Sequence, residues 1–202
     1  MQFISRDPQI ILLHDFFSPK EIQHIIDFSA NKFTRSPTVD GIHHGRTSTT
    51  LFLQKAQDPI IANIEHRVAV LCNVSHDQIE PLQVVRYEKG QQYRPHYDYF
   101  VNPNRDVKQR RTTIFVYLTS KNDGCTSNII MDGTNFDHPL VSGYTVFPII
   151  GKNIKPVAGM AVMWENVNPY TNQVDQRTLH GGSAIQEHDF VKLAVNIWIR
   201  EK

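Results

Sequence analysis

From residue 80 onward, apolar and polar residues alternate with a period of two, and this alternation limits the fold more than any other feature. Successive side chains of a β-strand point to opposite faces, so the alternation predicts short, half-buried strands. Clusters of Gly, Pro, Asn and Asp separate the segments and predict turns. Many short strands joined in this way are typical of a jelly roll or barrel. The predicted strands are LQVVRY (82–87), YRPHYDYF (93–100), RTTIFVYL (111–118), YTVFPI (144–149), GMAVMW (159–164), QRTLH (176–180) and FVKLAVNIWIR (190–200).

The N-terminal segment begins with a strand and a well-marked helix start. PQIILLHDFF (8–17) is typical of a strand that runs into a turn. Ser18 fits an N-cap, Pro19 stands at the first helical position, and Glu21 completes a capping box. The spacing of the isoleucines that follow predicts an amphipathic helix with one buried stripe.

A second helix is predicted from about Pro59 to Leu71, and its polar stretch EHR (65–67) is expected to face solvent. Residues 32–50, between the two helices, are polar and punctuated by Pro and Gly, which predicts a long loop or an irregular hairpin. Two helices ahead of many strands would cover one face of a sheet. The expected fold is therefore mainly β with flanking N-terminal helices.

Length and composition narrow the class of protein. The 202 residues contain no repeat or linker, so we predict a single domain spanning 1–202. No apolar run reaches the length of a membrane helix, and the start of the chain lacks a signal-peptide layout, which predicts a cytoplasmic protein. A net charge of +1 gives no reason to expect a nucleic-acid partner. Cys72 and Cys125 are too few for a disulfide framework and predict reduced thiols.

The stretch YRPHYDYF places a histidine and an aspartate two residues apart. In a strand, His96 and Asp98 would share one face, with Tyr93 on the opposite face. Such a pair is either two ligands of a metal or a hydrogen-bonded surface pair. His180, in TLHGG, offers a third ligand. Two histidines and one carboxylate leave three coordination positions open and suit non-haem Fe(II).

Lys192 supplies a separate argument from the last strand. It shares a face with Ala194, Asn196 and Trp198, whereas the opposite face is entirely apolar and packs outward. A lysine that points into a barrel is costly unless an anion meets it. No acidic residue lies on that face of the strand, which favours the carboxylate of a ligand. The alternative is that Lys192 lies near the strand end and reaches water.

Seven motifs occur in an order that resembles a known family: RTS (46–48), QVVRY (83–87), GQQYRPHYDYF (90–100), RTTIFVYL (111–118), GYTVFP (143–148), LHGG (179–182) and K-x5-W (192–198). Together they resemble the collagen-type prolyl 4-hydroxylases, including their bacterial, algal and viral single-domain relatives. These proteins are Fe(II)- and 2-oxoglutarate-dependent dioxygenases with a double-stranded β-helix (jelly roll) fold. The resemblance runs from about residue 9 to 200.

The resemblance implies roles for nine residues. The iron ligands would be His96, Asp98 and His180. Lys192 would pair with the distal carboxylate of 2-oxoglutarate and so counts, with the three ligands, among the catalytic residues. The positions that match cosubstrate-binding residues are Tyr87 and Thr145, with Trp198 bordering both cosubstrate and substrate. The positions that match substrate-binding residues are Arg46, in the segment that folds over the peptide, and Arg110 and Trp198 beside the proline site.

The resemblance also implies a reaction and its partners. A prolyl residue in a peptide or protein would be hydroxylated at C4, with O2 consumed, succinate and CO2 released, and ascorbate as reductant. The oligomeric state would be a monomer or a homodimer. Two alternatives stay open: the same cofactor chemistry on another amino acid, a nucleobase or a small substrate, and a silent peptide-binding module. Nucleic-acid demethylases of this superfamily generally anchor 2-oxoglutarate with arginine, and here Lys192 stands in that place.

The chain departs from the family pattern ahead of its SGYT motif (142–145). Residues 121–141 look like an insertion that could reshape the peptide groove. Leu193 stands where the family often has tryptophan. None of these departures removes a ligand, so they bear on substrate preference and leave the expected chemistry unchanged.

Overall fold

Two antiparallel β-sheets and two α-helices dominate the computed structural model, which describes residues 1–36, 45–100, 108–121, 129–133 and 136–202. The predicted loop at 32–50 and the predicted insertion at 121–141 therefore lie partly outside the described residues, and so does Cys125. In the described part of the chain, neither α-helix, of 11 and 14 residues, has the length and apolar character needed to cross a bilayer.

The major sheet has eight strands in the order β1-β2-β11-β7-β13-β5-β4-β3, and the minor sheet has five in the order β6-β12-β9-β10-β8. Neighbouring strands are antiparallel throughout. The strands are β1 (Gln2–Arg6), β2 (Gln9–Leu13), β3 (Thr34–Arg35), β4 (Thr49–Phe52), β5 (Gln83–Tyr87), β6 (Tyr93–His96), β7 (Arg110–Tyr117), β8 (Ile130–Asp132), β9 (Thr145–Phe147), β10 (Lys152–Ile154), β11 (Ala161–Glu165), β12 (His180–Gly182) and β13 (Lys192–Arg200).

Helix α1 (Pro19–Ser29) begins as the sequence predicts. The Ser18 hydroxyl accepts the Glu21 backbone N–H, and the Glu21 carboxylate accepts the Ser18 backbone N–H at 2.8 Å. Helix α2 (Pro59–Cys72) is capped by Asp58. Both helices pack against one face of the major sheet, where their isoleucines join the larger apolar cluster.

The prediction that Glu65 lies in solvent is wrong. Its side chain is only 3% exposed, because it turns toward the segment that precedes α2 and accepts the Ala56 backbone N–H at 3.0 Å. Arg67, in the same polar stretch, donates to Glu21 at 2.7 Å and so ties α2 to the start of α1. The stretch EHR (65–67) is therefore partly a contact surface between the helices and the segments beside them.

A second apolar cluster lies between the two sheets and forms the wall of the interior. It contains Val85 and Phe115 from the major sheet and Phe147 from the minor sheet. Strand β13 separates the two clusters as its alternation predicts: Ala194 belongs to the interior, and Val195 belongs to the cluster under the helices. The predicted double-stranded β-helix with flanking N-terminal helices is confirmed.

One predicted strand is wrong, the strands β1 and β10 were not predicted, and the hairpin expected within 32–50 is present as the paired strands β3 and β4. QRTLH (176–180) does not form a strand, because Asp175 accepts the Arg177 backbone N–H at 3.0 Å and starts a short 3-10 helix over Gln176–Thr178. The strand begins only at His180. Strand β1 at the edge of the major sheet carries no strong alternation, and its residues are mostly exposed.

Candidate metal and cosubstrate site

Three metal-ligating side chains converge where the edge strand of the minor sheet ends. His96 is the last residue of β6, His180 is the first residue of β12, and the two residues pair directly across the ladder. Asp98 follows β6 in a bend, so it meets His96 through a change of chain direction rather than through strand alternation. The Nε2 atoms of His96 and His180 lie 3.7 and 3.6 Å from the two Asp98 carboxylate oxygens.

The two imidazoles present the same nitrogen to this centre. The Nδ1 atom of His96 lies 2.9 Å from the Arg94 carbonyl oxygen, and that of His180 lies 3.0 Å from the Thr178 carbonyl oxygen. A carbonyl can only accept, so Nδ1 carries the proton in each neutral ring and Nε2 keeps a free lone pair. Both rings are therefore held in the tautomer that binds a metal through Nε2.

Electrostatics favours the metal-binding protonation states. Burial and the neighbouring His180 lower the pKa of His96, which keeps that imidazole neutral. Burial opposes ionisation of Asp98, but the neighbouring His180 and His96, the Arg110 guanidinium and the Thr113 hydrogen bond together outweigh it, so the pKa of Asp98 is also lowered. The ligand atoms of all three residues lie within 4.8 Å of one another, and no other such cluster occurs among the described residues. Two neutral imidazoles and one carboxylate fit non-haem Fe(II).

Aromatic rings clamp both imidazoles. Tyr93 stacks on His96 with ring centroids 3.5 Å apart, and the Arg46 guanidinium lies 4.8 Å from the Tyr93 ring centroid on β6. The expectation that Tyr93 faces away from His96 is therefore wrong, because the strand ends at His96 and its ring folds back over Tyr93. On the other side, the Trp164 ring lies 4.6 Å from that of His180.

Lys192 points into the interior, as predicted, and is only 2% exposed. Its Nζ lies 5.4, 5.5 and 5.8 Å from the ring centroids of Phe115, Tyr117 and Tyr87. Among the described residues no carboxylate lies within 4.0 Å of this ammonium, and its hydrogen bond to the Thr145 hydroxyl is long, at 3.5 Å. Burial alone lowers the pKa of Lys192 to about 7. The pocket therefore holds a cation that lacks an anion.

Thr145 completes the polar lining of this pocket together with a residue that the motifs did not reveal. The Tyr117 hydroxyl donates to Thr145 Oγ1 at 2.8 Å, and Lys192 donates to the same oxygen. A hydroxyl has two acceptor sites and one proton, so Thr145 keeps its proton for a ligand. Alternation along RTTIFVYL places Tyr117 on the inner face, and this was the signal that could have found it.

Gly182 connects the metal centre to the Lys192 pocket. It lies two residues after His180 on β12, and a Cβ atom there would come 4.0 Å from both Lys192 Nζ and the Tyr87 ring. The side chains of Lys192, Tyr87 and Thr145 thus lie close together beside Gly182, two residues along β12 from His180. A dicarboxylic acid that extends from this ammonium toward the metal could pair with the Lys192 charge at one end and bind the metal at the other.

Two of the predicted substrate residues lie on neighbouring strands, Arg110 on β7 and Trp198 on β13, and the third, Arg46, pairs with Tyr93 of β6. The Arg110 guanidinium stacks 3.5 Å from the Trp198 ring centroid and makes two hydrogen bonds to Glu80, of 2.7 and 2.9 Å. Trp198 is 5% exposed, and its indole N–H has no hydrogen-bond partner among the described residues. Arg46 is also buried and donates to Ser48 and Gln83. The structure thus brings Arg110 and Trp198 together and places Arg46 separately, over Tyr93.

The described part of the predicted insertion packs on the minor sheet. Strand β8 pairs with β10, at the opposite edge of that sheet from β6. Phe136 lies against β12, where a Cβ atom on Gly181 would come within 2.9 Å of its ring. Gly181 is therefore required by close packing beside His180. The effect of the insertion on substrate preference stays a prediction.

Comparison with known proteins identifies the family. The model of the 2OG-Fe(II) oxygenase superfamily matches residues 82–200. Prolyl 4-hydroxylase 1 of Arabidopsis thaliana is 32% identical over 211 residues, which cover 100% of this chain and 72% of that protein. Probable prolyl 4-hydroxylase 3 of the same plant is 31% identical over 195 residues, covering 91% of this chain and 67% of that protein.

A solved structure agrees with these sequence matches. The viral collagen prolyl hydroxylase vCPH from Paramecium Bursaria Chlorella virus-1, in complex with 2OG, aligns with a TM-score of 0.71 at 25% identity and covers 96% of each chain. The sequence motifs, the fold and the site geometry therefore agree. This chain belongs to the prolyl 4-hydroxylase family within the 2OG-Fe(II) oxygenase superfamily.

Proposed function

We propose that this protein hydroxylates prolyl residues of peptides or proteins at C4, using Fe(II), 2-oxoglutarate and O2 and releasing succinate and CO2. One observation supports this most: a buried lysine that has no carboxylate partner among the described residues lies beside Gly182, two residues from the His180 of a cluster of two histidines and one aspartate. The relatives that match this chain are named prolyl 4-hydroxylases. Ascorbate is proposed as the reductant that keeps the iron in the Fe(II) state.

The metal site assigns a role to each ligand. His96 and His180 bind through Nε2, because their Nδ1 protons face backbone carbonyls. Asp98 binds as the ionised carboxylate. Iron bound there would supply the oxidising power that couples decarboxylation of 2-oxoglutarate to insertion of an oxygen atom into a C–H bond. The protein contributes the fixed geometry of the three ligands and the aromatic rings that exclude water from it.

The cosubstrate pocket is proposed to hold 2-oxoglutarate by its distal carboxylate. Lys192 supplies the charge, and the Thr145 hydroxyl supplies a hydrogen bond with its remaining proton. Tyr87 lines the same pocket, with its ring 5.8 Å from Lys192 Nζ. Binding an anion here relieves the cost of a buried charge, so the pocket favours a ligand with a carboxylate over a neutral one.

The substrate surface is proposed to comprise Tyr93, Trp198, Arg110 and Arg46. Tyr93 and Trp198 supply its aromatic rings, and the guanidinium groups of Arg46 and Arg110 lie over them. The buried indole N–H of Trp198, which has no partner among the described residues, is proposed as a donor to a peptide carbonyl. Glu80 holds Arg110 by two hydrogen bonds, so its guanidinium is fixed before a peptide arrives.

The test is a set of synthetic peptides that contain proline in varied contexts. The protein is incubated with Fe(II), 2-oxoglutarate and ascorbate, and both succinate and hydroxylated peptide are measured by mass spectrometry. Hydroxylation at C4 with matching succinate is the expected result, and Asp98→Ala should abolish it, whereas Asp132→Ala, at an exposed carboxylate, should not.

Two other results of the same test would overturn the proposal. Succinate without modification of any proline would indicate that the same chemistry acts on another substrate. An absence of succinate from a protein that binds the metal would indicate a silent binding module. Omitting ascorbate separately tests the reductant, because the proposal expects turnover to fade faster without it.

A further inference from the structure

Asp98 is connected to the protein interior by a line of three buried polar side chains. The Thr113 hydroxyl on β7 lies 2.8 Å from Asp98 Oδ2, the Asn166 amide nitrogen lies 2.9 Å from the Thr113 hydroxyl, and the Trp164 indole nitrogen lies 2.9 Å from Asn166 Oδ1. Thr113, Asn166 and Trp164 are each at most 2% exposed. We name this line the Asp98 relay.

The chemistry of the three groups fixes the direction of every hydrogen bond in the Asp98 relay. An indole N–H can only donate, so the Asn166 atom that faces Trp164 must be the oxygen. The amide nitrogen of Asn166 then faces Thr113 and donates to its hydroxyl oxygen. The Thr113 proton is therefore left for Asp98 Oδ2. Each bond points from Trp164 toward the carboxylate.

The two oxygens of Asp98 consequently differ. Each oxygen lies near one imidazole, Oδ2 at 3.6 Å from Nε2 of His180 and Oδ1 at 3.7 Å from Nε2 of His96, but only Oδ2 also accepts a hydrogen bond, from Thr113, among the described residues. A carboxylate whose second oxygen is held by a hydrogen bond has reduced freedom to rotate and to bind a metal through both oxygens. A two-oxygen mode would occupy one of the three positions that the cosubstrate and O2 need.

We propose that Trp164, Asn166 and Thr113 are positioning residues that hold Asp98 by Oδ2 and make it a one-oxygen metal ligand through Oδ1. The relay also reaches a second ligand, because the Trp164 ring packs 4.6 Å from the His180 ring. Backbone hydrogen bonds fix Asn166 just after β11, with its N–H donating to the Arg111 carbonyl at 2.7 Å. The inference rests on the metal site of the proposed function and is independent of the proposed substrate.

The test compares Co(II) binding by purified variants that lack any peptide. Bound Co(II) has a ligand-field absorption that reports its coordination, so affinity and geometry are read together. Thr113→Val keeps the shape of the side chain and removes the hydroxyl. It should weaken Co(II) binding by about 10–100-fold, the range typical of lost outer contacts to metal ligands, and alter the absorption band. Thr113→Ser restores the hydroxyl and should restore both properties.

The neighbouring threonine offers a matched control. Thr112 is also buried on β7, and its hydroxyl also donates to a carboxylate, Glu165 Oε1 at 3.0 Å, but on the opposite face of the strand. Thr112→Val should leave Co(II) binding unchanged. If Thr113→Val and Thr112→Val bind Co(II) equally well with the same band, or if Thr113→Ser fails to restore binding, the relay is refuted.

A second variant keeps the test decisive if Thr113→Val folds poorly. Trp164→Phe keeps an aromatic ring against His180 and removes the indole N–H, which frees the Asn166 amide to reverse. It should shift the Co(II) band in the same direction as Thr113→Val, by a smaller amount, and an unshifted band would contradict the relay. If the wild-type protein itself binds no Co(II), the proposed metal site fails together with the relay.

Discussion

Asp98 and Lys192 are both buried charges in the same interior, yet the protein treats them in opposite ways. Asp98 receives a short hydrogen bond from Thr113 and lies beside His96 and His180, and its pKa is lowered, so its charge is favoured. Lys192 has a long hydrogen bond to Thr145 and aromatic neighbours, and burial lowers its pKa to about 7, so its charge is disfavoured. The protein itself stabilises the Asp98 carboxylate, whereas the Lys192 ammonium depends on a ligand for its stabilisation.

This difference separates a preorganised group from a group that awaits its partner. A charge that the protein satisfies stays in place whether or not the metal is bound. A charge that the protein does not satisfy lowers the stability of the ligand-free protein and is stabilised when a counter-ion arrives. The unsatisfied charge of Lys192 therefore lowers the stability of the ligand-free protein and raises its affinity for a dicarboxylic acid. Asp98 carries no such cost.

The largest effect is expected from removing the unsatisfied charge. Lys192→Met should weaken binding of 2-oxoglutarate about 100-fold or more, because one partner of a buried ion pair is lost. The same change should raise the stability of the ligand-free protein by about 1–3 kcal/mol, because a buried charge is replaced by an apolar chain of similar volume. Calorimetry measures the first effect, and thermal unfolding near pH 6.5 measures the second.

Lys121 provides the control for this prediction. It is also buried, but it donates to the Ser142 carbonyl at 2.8 Å and pairs with Glu187 at 3.0 Å. Lys121→Met should therefore lower stability and leave 2-oxoglutarate binding nearly unchanged. Equal destabilisation by both substitutions would show that the Lys192 ammonium already has its partners within the protein.

The next effect is a dependence of cosubstrate affinity on pH. Because the pKa of Lys192 in the empty pocket is about 7, the ammonium loses its proton as the pH rises through neutrality. The dicarboxylic acid binds the protonated form and holds its proton, so affinity is highest below pH 7 and falls above it. The apparent dissociation constant of 2-oxoglutarate should rise roughly 25-fold between about pH 6.5 and 8.5.

Titration calorimetry with Mn(II) in place of iron measures this dependence without turnover. Lys192→Arg keeps a charge that does not titrate in this range, so whatever affinity remains in that variant should be independent of pH. A flat profile for the wild-type protein would mean that Lys192 is already fully protonated without a ligand.

The smallest effect is expected at Tyr117. Tyr117→Phe removes the donor to Thr145 Oγ1. The Thr145 hydroxyl can then rotate, and its proton no longer has to point toward a ligand. The loss of one neutral hydrogen bond should weaken 2-oxoglutarate binding by about threefold. Tyr97→Phe removes a longer hydrogen bond, 3.3 Å to the Gln176 carbonyl, outside the pocket and should have no effect on this affinity. An unchanged affinity in Tyr117→Phe would show that this hydroxyl does not contribute to 2-oxoglutarate binding.

The sequence revealed the residues whose chemistry is unusual for their position. A lysine on the inner face of β13 and two histidines with an aspartate are conspicuous in a strand pattern, and the structure brings His96, Asp98 and His180 together as expected. The burial of Lys192 followed from alternation alone. The helix start at Ser18 followed from local rules that need no tertiary contact.

The sequence could not reveal features that depend on where a strand ends or on which residues contact the metal-ligating side chains. Tyr93 contacts His96 only because β6 stops there and the chain bends toward Asp98. Thr113 resembles any other inward threonine until its distance to Asp98 is known. The short 3-10 helix before His180 arises from the Asp175 cap, which overrides the alternation of QRTLH.

The central claim is tested most directly by following oxygen atoms. A peptide that the protein modifies is incubated with Fe(II), 2-oxoglutarate and isotopically labelled O2, and the products are analysed by mass spectrometry. The account predicts one labelled oxygen atom at C4 of a prolyl residue and one in succinate, in equal amounts. Unlabelled hydroxyproline, or labelled succinate with every proline unchanged across the peptide set, would contradict it.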